Sequence, residues 1–182
     1  MSPASGIDLI ATTHELPRRP GEMRVWRRTV DAPPELGIDM IGVPEDSPID
    51  LDLTMESAGD GIWVSGTVTA RLTGECARCL TALDERRTFS LEELYYYPGK
   101  DAEEDALFVS DEQIDLEPAL REAIVLELPF SPLCRPDCAG LCPVCGANLN
   151  DDPSHSHGEA VDPRWAALAT LKDSDTDADT QS

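Results

Sequence analysis

Two alternating runs, set back to back, constrain this chain more than any other feature. In Ile49–Glu56, the residues Ile49, Leu51, Leu53 and Met55 fall on one side of an extended backbone, and Asp50, Asp52, Thr54 and Glu56 on the other. In Ile62–Thr73, the residues Ile62, Val64, Val68, Ala70 and Leu72 oppose Thr67, Thr69, Arg71 and Thr73. A period of two marks a strand buried on one face. Ser57-Ala58-Gly59-Asp60-Gly61 between them has the composition of a turn. The pair predicts an antiparallel hairpin with one wet face.

Other segments extend this sheet. Thr88–Tyr97, with Phe89, Leu91 and three consecutive tyrosines, reads as a further strand, so Cys76-Ala77-Arg78-Cys79 falls near the tip joining two strands. Short strands are expected at Ile7–Ile10, Met23–Trp26 and Ala106–Val109. Prolines and a glycine in Leu16–Gly21 make the first connection a loop. Asp31–Gly37 resembles a brief helix start, with proline in its first turn and glycine as a stop. Asp115 is placed to cap a helix that carries Leu116, Leu120, Ala123 and Ile124 at helical spacing. Pro129 and Pro132 end it. A second helix is expected from Asp162 and Pro163, with Trp165, Leu168 and Leu171 as its stripe.

The resulting fold class is α+β, a predominantly antiparallel β-sheet with two C-terminal helices and a small Cys-rich zinc-knuckle segment. Residues 1–128 form the β domain with its helix at 115–127. Residues 129–172 form the Cys/His-rich segment and terminal helix. Residues 173–182 are an acidic, polar tail expected to be disordered. No apolar run approaches the roughly 18 residues of a membrane span. The N-terminus has no basic start followed by an apolar core, so no export signal is expected and a cytoplasmic location follows.

In a reducing compartment, six cysteines point to metal before disulfides. Cys142-Pro143-Val144-Cys145-Gly146 has zinc-knuckle spacing, and Gly146 supplies the positive φ that such a turn's exit needs. Three ligand sets compete. Cys134, Cys138, Cys142 and Cys145 could close one local site. Cys142 and Cys145 could instead pair with His155 and His157. Or Cys76 and Cys79 could complete one of two sites with thiols of the C-terminal cluster. A closed set of protein ligands favours a structural Zn²⁺ over a catalytic one. A C-x-x-C redox pair is the competing use of Cys76 and Cys79, without a following helix to lower a thiol pKa.

No G-x-S-x-G, H-E-x-x-H, P-loop or dinucleotide-binding turn occurs, so the chain is read as a non-enzyme without a small-molecule substrate. A formal net charge of -22 argues against coating nucleic acid through bulk electrostatics. The basic residues are nevertheless clustered. Arg24, Arg27 and Arg28 surround Trp26, while Arg71 and Arg78 lie near the first cysteine pair. These six are candidate RNA- or partner-binding residues, with Trp26 as a stacking platform.

One combination of motifs is specific. Cys76-Ala77-Arg78-Cys79-Leu80 follows a strand, and Leu126-Glu127-Leu128-Pro129 precedes the cluster. The cluster reads Cys138-Ala139-Gly140-Leu141-Cys142-Pro143-Val144-Cys145-Gly146-Ala147-Asn148-Leu149-Asn150, and Asp162-Pro163-Arg164 opens the last helix. Together these resemble the YceD family, bacterial and plastid proteins described as large ribosomal RNA subunit accumulation proteins. The resemblance implies a cytoplasmic, non-catalytic factor for processing or accumulation of large-subunit ribosomal RNA. Its partner would be pre-ribosomal RNA, or a basic ribosomal or RNA-processing protein. Alternatives are an acidic adaptor that holds a basic ribosomal protein or nuclease without touching RNA, and a zinc/thiol redox sensor. Many relatives carry C-x-C where this chain has His155-Ser156-His157.

Overall fold

The computed structural model describes residues 9–100 and 105–157. They fall into two compact units, one running through Cys138 and one starting at Ala139. The division comes after Cys134 and Cys138, beyond the expected boundary at residue 128, because those two cysteines are held by the sheet.

The first unit is built on four long strands. β2 (Met23–Asp31), β5 (Pro48–Ser57) and β6 (Gly61–Glu75) pair antiparallel in the order β2-β5-β6. β7 (Ala82–Tyr96) pairs β6 along its whole length, from Gly61↔Tyr96 to Glu75↔Ala82. The alternation in the sequence becomes the two faces of this sheet. Ile49, Leu51, Leu53, Met55, Ile62, Val64, Val68, Ala70 and Leu72 are all buried. The other face is polar: Arg27↔Asp52↔Thr67↔Ser90 and Thr29↔Asp50↔Thr69↔Thr88 cross it as rows. Gly66 sits mid-strand with φ +154, opposite Leu53 on β5 and Leu91 on β7. A Cβ there would run into the carbonyl oxygen of Asp52 and lie 2.8 Å from Leu53 Cα.

Short elements close the core. β3 (Gly37–Ile38) and β4 (Ile41–Gly42) extend the sheet beyond β6, and β8 (Leu107–Phe108) runs parallel to β7. β1 (Ile10–Thr12) and β9 (Gln113–Asp115) form a separate two-stranded sheet. α1 (Glu117–Val125) buries Ala119, Leu120 and Ile124 in the same core. The Tyr95 hydroxyl donates to the Asp115 carbonyl at 2.9 Å and ties β7 to β9, while burial pushes its phenol pKa up. β2 ends the sheet, so one edge of it has no strand partner among the described residues.

Several expectations need correction. Asp31–Gly37 is not a helix. Glu35 takes φ 57, which breaks a right-handed turn, and Arg121 of α1 donates to the Pro34 and Glu35 carbonyls. The N-cap position of α1 is Leu116 and not Asp115. Asp115 still serves the helix start, accepting from the Glu117 amide at 2.9 Å. β7 starts at Ala82, earlier than Thr88, because a fully paired hairpin carries the charged segment Asp84–Arg87 into the ladder. Of the two expected helices, one lies among the described residues. The second, from Asp162, and the acidic tail fall outside them, as does Ile7 of the first expected strand.

Candidate metal centres

The six cysteines and two of the histidines gather into two quartets: Cys76, Cys79, Cys134 and Cys138, and Cys142, Cys145, His155 and His157. Within each, the ligand atoms lie within 4.8 Å of one another. They share no ligand. The arrangement that joined all four C-terminal cysteines in one site is therefore overturned. Cys134 and Cys138 are drawn to the hairpin pair, and Cys142 and Cys145 to the histidines.

The first quartet hangs on the tip of the β6–β7 hairpin. β6 delivers Cys76 directly after Glu75, and Thr81 leads back into β7 at Ala82. The Cys76 amide donates to the Thr81 carbonyl at 2.9 Å, and the Leu80 amide to the Cys76 carbonyl at 2.9 Å. Leu80 takes the left-handed φ of 58 that closes this turn. After α1, the chain returns under proline control. The Ala77 amide donates to the Pro132 carbonyl at 2.8 Å, which sets Cys134 and Cys138 beside the tip. Arg78 Nη1 donates to the Cys138 carbonyl at 2.9 Å. The resulting Sγ···Sγ distances are 3.8 Å for Cys76–Cys138 and 3.6 Å for Cys79–Cys134. A tetrahedral ion about 2.3 Å from each sulfur requires edges of about 3.8 Å. The donor set fits.

The protonation of this quartet points the same way. Burial pushes the Cys76 thiol up, but backbone amides of Cys134, Arg78 and Cys79 outweigh it and bring it down to about 6. The Thr81 hydroxyl, 3.1 Å from Cys79 Sγ, and the Thr81 amide draw the Cys79 thiol down. Burial and the neighbouring thiols, Cys79 first, push Cys134 up to about 12. Cys76 and Cys79, favoured as thiolates by nearby donors and crowded by two further sulfurs, could be balanced by a bound cation.

The second quartet repeats the same turn. The Gly146 amide donates to the Cys142 carbonyl at 2.8 Å, and the Cys142 amide to the Ala147 carbonyl at 2.8 Å. Each bond has the same sequence offset as in the first knuckle, with Gly146 at φ 74 where the first has Leu80. Cys145 Sγ lies 3.2 Å from the Nε2 atoms of both His155 and His157, which are 2.9 Å apart. Both rings thus present the same nitrogen to one point. The Cys145 and Val144 amides bring the Cys142 thiol down to about 6. The Asn148 side chain and the Leu141↔Asn148 bridge fix the strip beyond the knuckle.

The arginine set is not one patch. Trp26 is 7 % exposed and belongs to the core, so its face is not open for base stacking. Arg24 and Arg28 share the core-side register of β2 with Trp26; Arg27 lies on the polar face with Arg71. Arg27 pairs with Asp52 at 2.8 Å, Arg71 with Asp84, and Arg24 with Glu15 at 2.8 Å. Arg28 lies over the Trp26 ring at 5.8 Å. Every member of the two quartets is a residue type that the sequence marks as a possible ligand, whereas the supporting groups, Thr81, Leu80, Pro132 and the Ala147 carbonyl, carry no such mark. The fixed offset of one partner residue after each C-x-x-C was the available signal.

A predominantly antiparallel sheet whose hairpin tip carries a C-x-x-C quartet, followed by a second quartet, defines a Cys-rich β protein; no described helix is long and apolar enough to cross a membrane. The sequence model described as Large ribosomal RNA subunit accumulation protein YceD matches residues 64–172, from mid-β6 through both quartets, and the chain belongs to the YceD family. An uncharacterized protein of Mycobacterium tuberculosis is 46% identical over 167 residues, 89% of this chain and 80% of its own length. A maize protein named Large ribosomal RNA subunit accumulation protein YCED homolog 1, chloroplastic, is 44% identical over 45 residues, 25% of this chain and 15% of its own. The Bacillus subtilis uncharacterized protein YlbN is 28% identical over 115 residues, 62% of this chain and 67% of its own. No solved structure matches.

Proposed function

We propose that this chain is a non-catalytic cytoplasmic factor that supports processing or accumulation of large-subunit ribosomal RNA, with structural Zn²⁺ in its two quartets. The observation that carries the reading is the family match across the hairpin tip and both cysteine sets. Zinc suits the donors: thiolates and imidazoles in closed sets of four. Bound there, zinc would supply a structural cross-link and no chemistry on a substrate. Cys76 and Cys79 would hold the hairpin tip to the segment after α1.

Direct contact through a basic protein is favoured over contact with RNA phosphate. A chain of net charge -22 repels a polyanion, and the polar sheet face matches Arg27, Arg71 and Arg86 with Asp52, Asp84 and Asp50. Arginines already neutralised by a neighbouring carboxylate present little net positive charge to a phosphate. The basic ribosomal or RNA-processing partner would sit on the acidic surface.

Depleting the protein in its native host tests the role. Large-subunit ribosomal RNA should fall, or its precursors accumulate, relative to small-subunit RNA. An unchanged ratio and unchanged precursors would sink the proposal. Co-purification of a ribosomal protein that survives nuclease treatment supports the protein-contact reading; loss of all partners on nuclease treatment favours RNA.

A further inference from the structure

We infer that the two quartets hold their ions independently and unequally, and that the second is an exchangeable site whose ion governs the folding of residues 139–157. The inference rests on the zinc reading above. It goes further, because it assigns the two sites different jobs.

The first quartet is assembled by a framework that stands without it. Cys76 and Cys79 are clamped between two 15-residue strands paired to their ends at Glu75↔Ala82. Their positions are set by the same ladder that buries Val68, Leu72 and Phe89. Pro132 and Arg78 hold the other half in register through bonds of 2.8 and 2.9 Å. An ion entering there finds its ligands in place and orders little else. Three of its ligands are shielded, Cys76 at 0 %, Cys138 at 2 % and Cys79 at 5 % exposure; Cys134 is the exposed one. Four thiolates are also the stronger donor set for a borderline ion.

The second quartet has no such framework. Among the described residues of its unit there is no helix and no ladder, only turn bonds and the single Leu141↔Asn148 bridge. None of residues 139–157 enters the hydrophobic core cluster. Ordering a backbone costs conformational entropy at every residue, and burial of apolar side chains normally offsets it. Here the ion must offset it, so part of its binding energy goes into folding and the net affinity drops. Cys145 and His157 are exposed and His155 is half-buried, which leaves the coordination open to competing ligands. Two imidazoles replace two thiolates. Every comparison runs in one direction: the second ion is held less tightly and leaves first.

The consequence is a unit that folds or opens with zinc supply while the sheet persists. Zinc-loaded, full-length protein is titrated with EDTA and followed by native mass spectrometry. The expected course is two ions, then a one-ion species persisting over roughly a tenfold or wider range of EDTA, then none. The one-ion species keeps the β signal in far-ultraviolet circular dichroism, and new protease sites open only beyond Ala139. Cys145→Ser, or His157→Ala should that variant not fold, should carry one ion that resists EDTA like the second-released ion of the wild type. Simultaneous loss of both ions overturns the inference. So does a surviving ion in Cys145→Ser that leaves at the lower EDTA concentration, or a wild type that binds one ion. A wild type that binds none sinks the zinc reading itself.

Discussion

The loops Cys76–Thr81 and Cys142–Ala147 make the same pair of backbone bonds and the same positive-φ exit, yet they sit in opposite surroundings. One caps the longest hairpin of the sheet and finds its partner cysteines across the chain, more than fifty residues later in sequence (|i−j| of 62 for Cys76–Cys138). The other finds its histidines within the same strip, at |i−j| of 10 and 12 from Cys145. A knuckle is a local solution to aiming two thiols at one point, and it transfers between contexts unchanged. What a metal would do there is set by what the surrounding chain has already achieved. In the hairpin it would join two placed segments; among the described residues of the C-terminal strip it would stand in for a core.

The strongest way to break that contrast is to remove one ligand from each loop. Cys76→Ser should lower the melting temperature of the zinc-loaded sheet by more than about 10 °C, because a long closed loop and a buried thiol set are lost together. Cys142→Ser should leave the sheet transition in place. Equal shifts in a thermal melt would mean that the two loops are equivalent. Gly66→Ala damages the sheet without touching a ligand. It should cost about 3 kcal/mol in denaturant unfolding, from the clash with the Asp52 carbonyl and the strained φ. If the framework argument holds, this variant weakens zinc binding at the first quartet and not at the second. Tyr95→Phe removes one part-buried hydrogen bond at the base of the hairpin and should cost about 1 kcal/mol. Leu80→Gly gives the first knuckle the exit residue of the second. Relief of the left-handed leucine, less the added chain entropy of glycine, should stabilise by about 0.5 kcal/mol. A loss instead would show that the 55 % exposed Leu80 side chain packs on something that matters.

The long strands were legible because their two faces meet different solvents, and the residues record it. Ile49 to Met55 and Ile62 to Leu72 alternate since one side faces the core and the other faces water. β3, β4 and β9 were not legible. Strands of two or three residues carry no period, and their pairing is decided by Ile41 meeting Gly74 or Ile114 meeting Ala11. The turn at Pro33–Leu36 misled because proline followed by glycine suits both a helix start and a turn. Arg121, far along the chain, made the choice by holding its carbonyls. The eight candidate ligands were all visible as residue types. Their partition was not, since spacing fixes each C-x-x-C turn but says nothing of which distant thiol completes it. That depended on Pro132 meeting Ala77, a contact without local signature. Trp26 failed as a stacking platform for the same reason: the register of β2 turned it to the core.

β2 closes one side of the sheet with nothing paired beyond it among the described residues. An open strand edge of nine residues would ordinarily invite another chain to continue the ladder, and Met23 and Val25 stand exposed on it. Arg24, Arg27 and Arg28 distribute positive charge to both faces of that rim, so a second copy in antiparallel register would bring like charges together. Charged side chains on an open rim are a common means by which a sheet edge is kept from pairing with another chain.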